Sequence, residues 1–276
     1  MTRGITGDAR FTGSFTQQPP IPEAGIAAAT EVLRHGRLHR YNLAPGETGE
    51  VSALEEEFAA YTGARYCLAV ASGGYAMACA LRALGVGPGD AVLSNAFTLA
   101  PVPGAVASLG ARPVFVETTE ALTIDLGHLA AQAAAHPEAR VLLLSHMRGH
   151  MADMDALMAV AAAHGLTLVE DCAHTMGARW AGVPSGRHGA IGCYSTQTYK
   201  HMNSGEGGLI VTDDADLAAR MVLLSGSYML YDRHRAAPPP EAFEGLRLEV
   251  PNVSGRMDNL RAAILRPQLA DLDARC

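Results

Sequence analysis

Short apolar runs alternate with longer alanine-rich stretches along most of the chain. YCLAV, AVLS, PVFV, VLLLS and LTLVE, lying between residues 66 and 170, have the length and character of buried strands. Between them come YAMACALRALG, APVPGAVASLG, HLAAQAAAH and DMDALMAVAAAHG, whose apolar positions recur at helical spacing. Strand, helix and strand in that rhythm require parallel crossovers. The pattern therefore predicts an α/β fold, a mostly parallel sheet with helices on both faces. Ahead of the alternation, residues 1–20 read as irregular and end in Pro19-Pro20. A helix is predicted from Pro22 to a stop at Gly36, followed by a loop over residues 37–51 that carries Pro45, Gly46 and Gly49. A second helix is predicted to start at Ser52, with Glu55 three residues on in a capping-box pattern.

In sheets of this kind ligands gather at the carboxyl ends of the strands. The first strand ends in Ser72-Gly73-Gly74 ahead of a helix, either a simple tight turn or a place where unpaired helix N–H groups receive a phosphate. LTLVE ends in Glu170-Asp171, followed by Cys172, Ala173 and His174. Buried carboxylates need partners. For Asp171 the partner is a protonated ring nitrogen, or else Asp171 only caps the next turn. A later strand over 190–194 leads into Ser195, Lys200 and SGEGG, with the glycines turning the chain back into LIVT.

Composition sharpens one of these sites. Among 21 Lys and Arg residues, Lys200 is the only lysine. A lysine amine in a desolvated site can lose its proton and attack a carbonyl, which arginine cannot do. The chemistry that follows is a Schiff base. A hydroxyl, an amine and a flexible turn at one strand end are what a phosphorylated aldehyde cofactor requires. The net charge of −7 argues against a nucleic-acid partner. No apolar run is long enough to span a bilayer, and the first 20 residues have no apolar core of a secretion signal, so the cytoplasm is the expected location and no membrane partner is expected. Cys67, Cys79, Cys172, Cys193 and Cys276 are odd in number and widely spaced. They read as reduced core residues, with no disulfide framework and no metal site; His146 and His150 likewise read as structural.

SGGYAMACALRALGVGPGD, VEDCAHTMGA, Ser195 five residues before Lys200, SGEGG, and NVSGRMDNLRAAILRPQL from Asn252 together resemble the DegT/StrS-type sugar aminotransferase family, fold type I enzymes that use pyridoxal phosphate. The resemblance runs from the first helix to the last residue. It implies that Lys200 forms the Schiff base and shuttles the proton, Asp171 binds the pyridine nitrogen and His174 lies near the phenolic oxygen. Ser195, with the backbone of Gly74 and Tyr75, holds the phosphate, and Leu99 stands where the family stacks an aromatic on the ring. Asn252 and Arg256 serve the neighbouring subunit's site, which implies a homodimer with shared active sites. Arg40 and Arg233 are further candidates for a substrate carboxylate.

The implied reaction moves an amino group from glutamate or a similar donor to a keto sugar, nucleotide-linked, by way of Lys200. A non-sugar ketone such as a cyclitol is the alternative acceptor, and a non-catalytic binding or regulatory module is the alternative of a different class. A dehydratase branch carries His in place of the lysine; retention of Lys200 ranks that reading low. Gly74 replaces the family's Thr, Ser254 its Asn, and the loop from Arg37 to Glu50 is unusual. The expected organisation is an N-terminal helix and loop over 1–50, a cofactor-binding large domain over 51–255, and a truncated C-terminal domain beginning in 256–276. The last helix is expected to kink at Pro267 and to be still running at Cys276, as in a fragment or a natural short form.

Overall fold

The computed structural model describes residues 18–276. Most of the irregular stretch expected over residues 1–20 thus lies outside the described residues. The elements follow the predicted alternation: α1 (Glu23–His35), α2 (Glu50–Thr62), β1 (Tyr66–Val70), α3 (Gly73–Ala83), β2 (Ala91–Asn95), α4 (Pro101–Ala107), β3 (Arg112–Val116), α5 (Leu126–Ala135), β4 (Val141–Ser145), α6 (Met154–Ala163) and β5 (Thr167–Asp171). A small hairpin of β6 (Arg179–Trp180) and β7 (Val183–Pro184) comes next. It is followed by β8 (Ile191–Ser195), β9 (Gly208–Thr212), α7 (Ala215–Leu224), α8 (Leu246–Glu249), α9 (Asn259–Ala270) and α10 (Leu272–Arg275).

The seven-stranded sheet has the order β1-β9-β8-β5-β4-β2-β3. β9 runs antiparallel to both of its neighbours, and the remaining pairings are parallel. β2, β4, β8 and β9 are buried along their whole length, as strands covered on both faces must be. Alternate side chains enter different cores. Leu68 and Val70 pack with α3, α4 and α7, whereas Cys67 and Ala69 pack with α2 and α9. Leu142 and Leu144 face α5 and α6, and Leu143 faces the other way. Cys67, Cys79, Cys172 and Cys193 are buried as free thiols, while Cys276 is exposed.

Two local expectations are corrected. α2 begins at Glu50, not Ser52, with Gly49 as its extended cap residue. Ser52 already lies inside the first turn, where its Oγ donates to the carbonyl of Arg233 at 2.8 Å, and Glu55 is wholly buried against Arg40. The orphan N–H of Val51 is received instead by Oδ1 of Asn259, whose Nδ2 also donates to the carbonyls of Arg37 and His39. The helix expected to run to Cys276 is α9, which is continuous across Pro267 and ends at Ala270, with α10 following after Asp271. It opens at Asn259 with Asp258 as its cap, so Arg256 lies ahead of it in an antiparallel bridge to Val70. Met257, Leu265, Leu269 and Leu272 share one core with Val51, Leu54 and Phe58. The segment from Met257 to Leu272 thus packs against α2 in one core.

Candidate active site

Four strand ends converge. β1 leads through Ser72 into α3, β4 ends in Ser145, β5 in Asp171 and β8 in Ser195. They open on a cavity of about 490 Å³ that brings together Gly74, Leu99, Asp171, His174, Ser195 and Lys200. The cavity thus opens where the carboxyl-end rule directs attention.

At the β1 end, the Ser72 side chain accepts the N–H of Tyr75 at 3.1 Å and caps α3. This leaves the neighbouring first-turn N–H groups of Gly73 and Gly74 to partners outside the helix. The Tyr75 N–H, expected to face a phosphate, is committed to that cap. Its ring leaves the cavity, and its hydroxyl donates to the carbonyl of Leu224. Gly73 lies against Ser195, and a Cβ at Gly73 would stand 2.8 Å from the Ser195 Cβ.

At the β5 end the two carboxylates part company. Glu170 points into the core, where it accepts from the N–H groups of Gly186, His188 and Gly189 and pairs with His146 at 3.0 Å. Burial pushes its carboxyl up, but the His146 ring and the Gly189 and Gly186 N–H groups outweigh that and hold it below the usual range. Cys172 brings a third potential ligand atom close to this pair. The Glu170 oxygens are already filled by four N–H contacts, so the cluster is structural. Asp171 instead lines the cavity, 8% exposed. Its Oδ2 accepts from Ser145 Oγ at 2.8 Å and its Oδ1 from the Ala173 N–H at 3.1 Å.

Lys200 sits in the turn between β8 and β9, where its N–H donates to the Gln197 carbonyl at 2.9 Å. Gly205, with φ of 80°, and Gly207 let this turn fold back; a Cβ at Gly207 would meet Thr196 Oγ1 at 2.2 Å. The Lys200 Nζ lies 2.8 Å from His174 Nε2. Burial lowers the affinity of the amine for a proton, Asp171 opposes that, and Arg148 adds to it.

Sequence reasoning missed Ser145. It is buried and held by Asn95, whose Oδ1 accepts the Ser145 N–H at 2.8 Å while its Nδ2 donates to the Ser145 carbonyl at 3.0 Å. VLLLS ends in this serine just as LTLVE ends beside Asp171, so the strand-end rule applied once more would have found it. Arg40 is removed from the substrate candidates. It is 2% exposed, its guanidinium grips both oxygens of Glu55 at 2.9 Å, and it contacts His234. Arg233 is likewise engaged, donating to the Tyr41 carbonyl. Asn252 and Arg256 do not line the cavity. Arg256 donates to the Gly226 carbonyl at 2.7 Å and lies over the Tyr228 ring, 4.7 Å from its centroid.

A family profile described as the DegT/DnrJ/EryC1/StrS aminotransferase family matches residues 20–276. The chain is 38% identical to the dTDP-3-amino-3,4,6-trideoxy-alpha-D-glucose transaminase of Streptomyces venezuelae, covering 95% of this chain and 67% of that protein. It is 33% identical to the L-glutamine:scyllo-inosose aminotransferase of Streptomyces griseus, over 98% of this chain and 64% of that protein. The solved structure of 3-amino-5-hydroxybenzoic acid synthase superposes with a TM-score of 0.80 at 33% identity, covering 95% of this chain and 64% of that one. The chain thus spans about two thirds of the length of these relatives. Among the described residues no helix is long and apolar enough to cross a membrane.

Proposed function

The chain belongs to the DegT/DnrJ/EryC1/StrS aminotransferase family, and from that premise we propose that it is a pyridoxal-phosphate-dependent aminotransferase acting on a keto sugar or a cyclitol. The observation that carries this reading is the meeting of the chain's single lysine, a desolvated carboxylate and a glycine-rich helix start in one cavity. These residues suit the cofactor. The Lys200 amine faces the cavity, Asp171 keeps its carboxylate there, and the first turn of α3 beside Ser195 offers N–H and hydroxyl groups to a phosphate.

In this reading Lys200 Nζ would hold the cofactor through its aldehyde carbon and would take and return the proton of the substrate carbon. Asp171, oriented by Ser145, would hold a proton on the pyridine nitrogen, and His174 would meet the phenolic oxygen. Ser195 and the Gly74 N–H would hold the phosphate, with Leu99 covering one face of the ring. The bound cofactor supplies an electron sink for the pair left when that proton departs. Asn252 and Arg256 would serve the cavity of a second copy in a homodimer, in keeping with their position away from this one.

A nucleotide-linked keto sugar is the acceptor we favour, because the Streptomyces venezuelae relative is named for a dTDP sugar. The scyllo-inosose relative supports the cyclitol as the second reading and adds glutamine to glutamate as a donor to try. The test loads the chain with pyridoxal phosphate and measures keto acid released from each donor, then amination of a keto-sugar nucleotide against a keto-cyclitol. Release followed by amination of either acceptor supports transfer and chooses between them. No release from any amino donor would leave a binding module.

The phosphate assignment makes a separate prediction. Gly73→Ala would drive a Cβ to 2.8 Å from that of Ser195, well inside the about 3.5–4.0 Å of ordinary carbon contacts. Ser195 must then move, and affinity for pyridoxal phosphate is expected to fall by about tenfold or more, about 1.4 kcal/mol, in a calorimetric titration. Unchanged affinity would separate Ser195 from the phosphate.

A further inference from the structure

The hydrogen bonds around Lys200 decide where the proton lies between it and His174. The backbone N–H of Arg148 is aimed at His174 Nδ1 from 3.2 Å, so Nδ1 is an acceptor. A neutral imidazole that accepts at Nδ1 carries its own proton on Nε2. Nε2 lies 2.8 Å from Lys200 Nζ, and an N–H there only donates. An ammonium has three donors and no lone pair, so the group that receives this hydrogen bond is the uncharged amine. We propose that His174, held in its Nε2–H tautomer by the Arg148 peptide, is a positioning residue that keeps the Lys200 amine uncharged and ready to bond a carbonyl carbon before any ligand arrives.

The turn that aims the Arg148 N–H is built for the purpose. Arg148 has φ 57° and ψ 20°, a left-handed conformation disfavoured for a residue with a Cβ, and Gly149 follows at φ 85°. The turn is anchored at its start by His146, whose ring is tied to the buried Glu170 and whose carbonyl accepts the Gly149 N–H at 3.1 Å. The His146–Glu170 pair, which touches no part of the cavity chemistry, thereby acquires a task.

The charged neighbours divide in a consistent way. Burial favours the neutral form of both Lys200 and His174, and Arg148 acts in the same sense on both. A protonated Lys200 or His201 would add to this at His174, while Asp171 is the carboxylate that opposes it at both groups. Glu206 also lines the cavity. The inference rests on the reading of Lys200 as the carbonyl-bonding amine for its use, but its test needs no cofactor.

Because the chain has one lysine, a sample labelled with ¹³C at lysine Cε gives one side-chain NMR signal, whose pH midpoint reports Lys200 directly. The full chain, freed of carbonyl compounds by hydroxylamine, is expected to show a midpoint below the about 10.4 of an unperturbed lysine. His174→Leu keeps the site dry but removes the donor, and should raise the midpoint by about one pH unit. His174→Gln restores an amide N–H at nearly the same point and should titrate close to the parent. A parent midpoint at or above the unperturbed value, a Leu variant equal to the parent, or a Gln variant that follows the Leu variant overturns the proposal. Failure of the cofactor reading looks different: pyridoxal phosphate would not bond Lys200 at any pH, while these midpoints stood.

Discussion

Lys200→Ala is expected to lower amino transfer by about 10⁴-fold or more, the upper end of what one proton-transferring group contributes. Two tasks are lost together in that variant. The amine proposed to bond the cofactor is gone, and so is the base proposed to move the substrate proton. No other lysine exists to substitute, and His174, though adjacent, holds a proton on the nitrogen that faces the site. Lys200→Arg should fare no better, because guanidinium neither bonds an aldehyde nor gives up its proton in this range. Half-reaction rates with a saturating donor check both variants. Residual transfer within about tenfold of the parent would place the chemistry elsewhere.

The second large effect concerns stability. Glu55→Ala should cost about 3–5 kcal/mol of unfolding free energy, because it strands a buried guanidinium. Arg40 and Glu55 side chains are 1% and 0% exposed, and the same carboxylate also accepts the Ala69 N–H at 2.8 Å. Arg40 donates to Nδ1 of His234, so the neutral ring carries its proton on Nε2 and donates it to the Tyr41 hydroxyl at 2.7 Å. Burial pushes the Tyr41 hydroxyl up to about 12. A joint Arg40→Met, Glu55→Leu replacement should recover much of the loss, since no charge is then left unpaired. Urea unfolding of the three proteins measures it; a single variant as stable as the parent would contradict the pairing.

The same network sets a pH dependence. Burial pushes the Glu55 carboxyl up, yet Arg40, joined by His234 once acid has protonated it, outweighs that and brings it down to about 2. A depressed carboxylate contributes stability that is complete above its ordinary value and is lost as pH falls from there towards about 2. His234, also depressed chiefly by burial, acts in the same direction from its higher ordinary value. Acid should therefore destabilise the parent more steeply than the doubly substituted protein.

Much of this fold was legible because strand and helix differ in length and spacing of apolar residues. YCLAV and VLLLS could only be buried strands, and they became β1 and β4. Lys200 was legible because it stands alone, and Asp171 because an acid at a strand end needs a reason. What stayed hidden depends on distant partners. Nothing in RLHRYNLAPGETGEV separates Arg40 from Arg37, yet one is locked to the core by Glu55 and His234 while the other pairs with Glu47 nearer the surface. Ser52 and Glu55 had the spacing of a capping box, but each was claimed from outside its helix, by the Arg233 carbonyl and by Arg40. The resemblance implied the Tyr75 N–H at a phosphate, but Ser72 accepts that N–H as the cap of α3.

Everything proposed for this cavity depends on Lys200 bonding pyridoxal phosphate. The most direct measurement reduces a mixture of the full chain and pyridoxal phosphate with borohydride and maps the modified peptide by mass spectrometry. One stoichiometric pyridoxyl group is expected on the peptide that contains Lys200, and none there when an excess of a good amino donor is added first. An unmodified Lys200 peptide, with or without label at the chain's amino terminus, would contradict it.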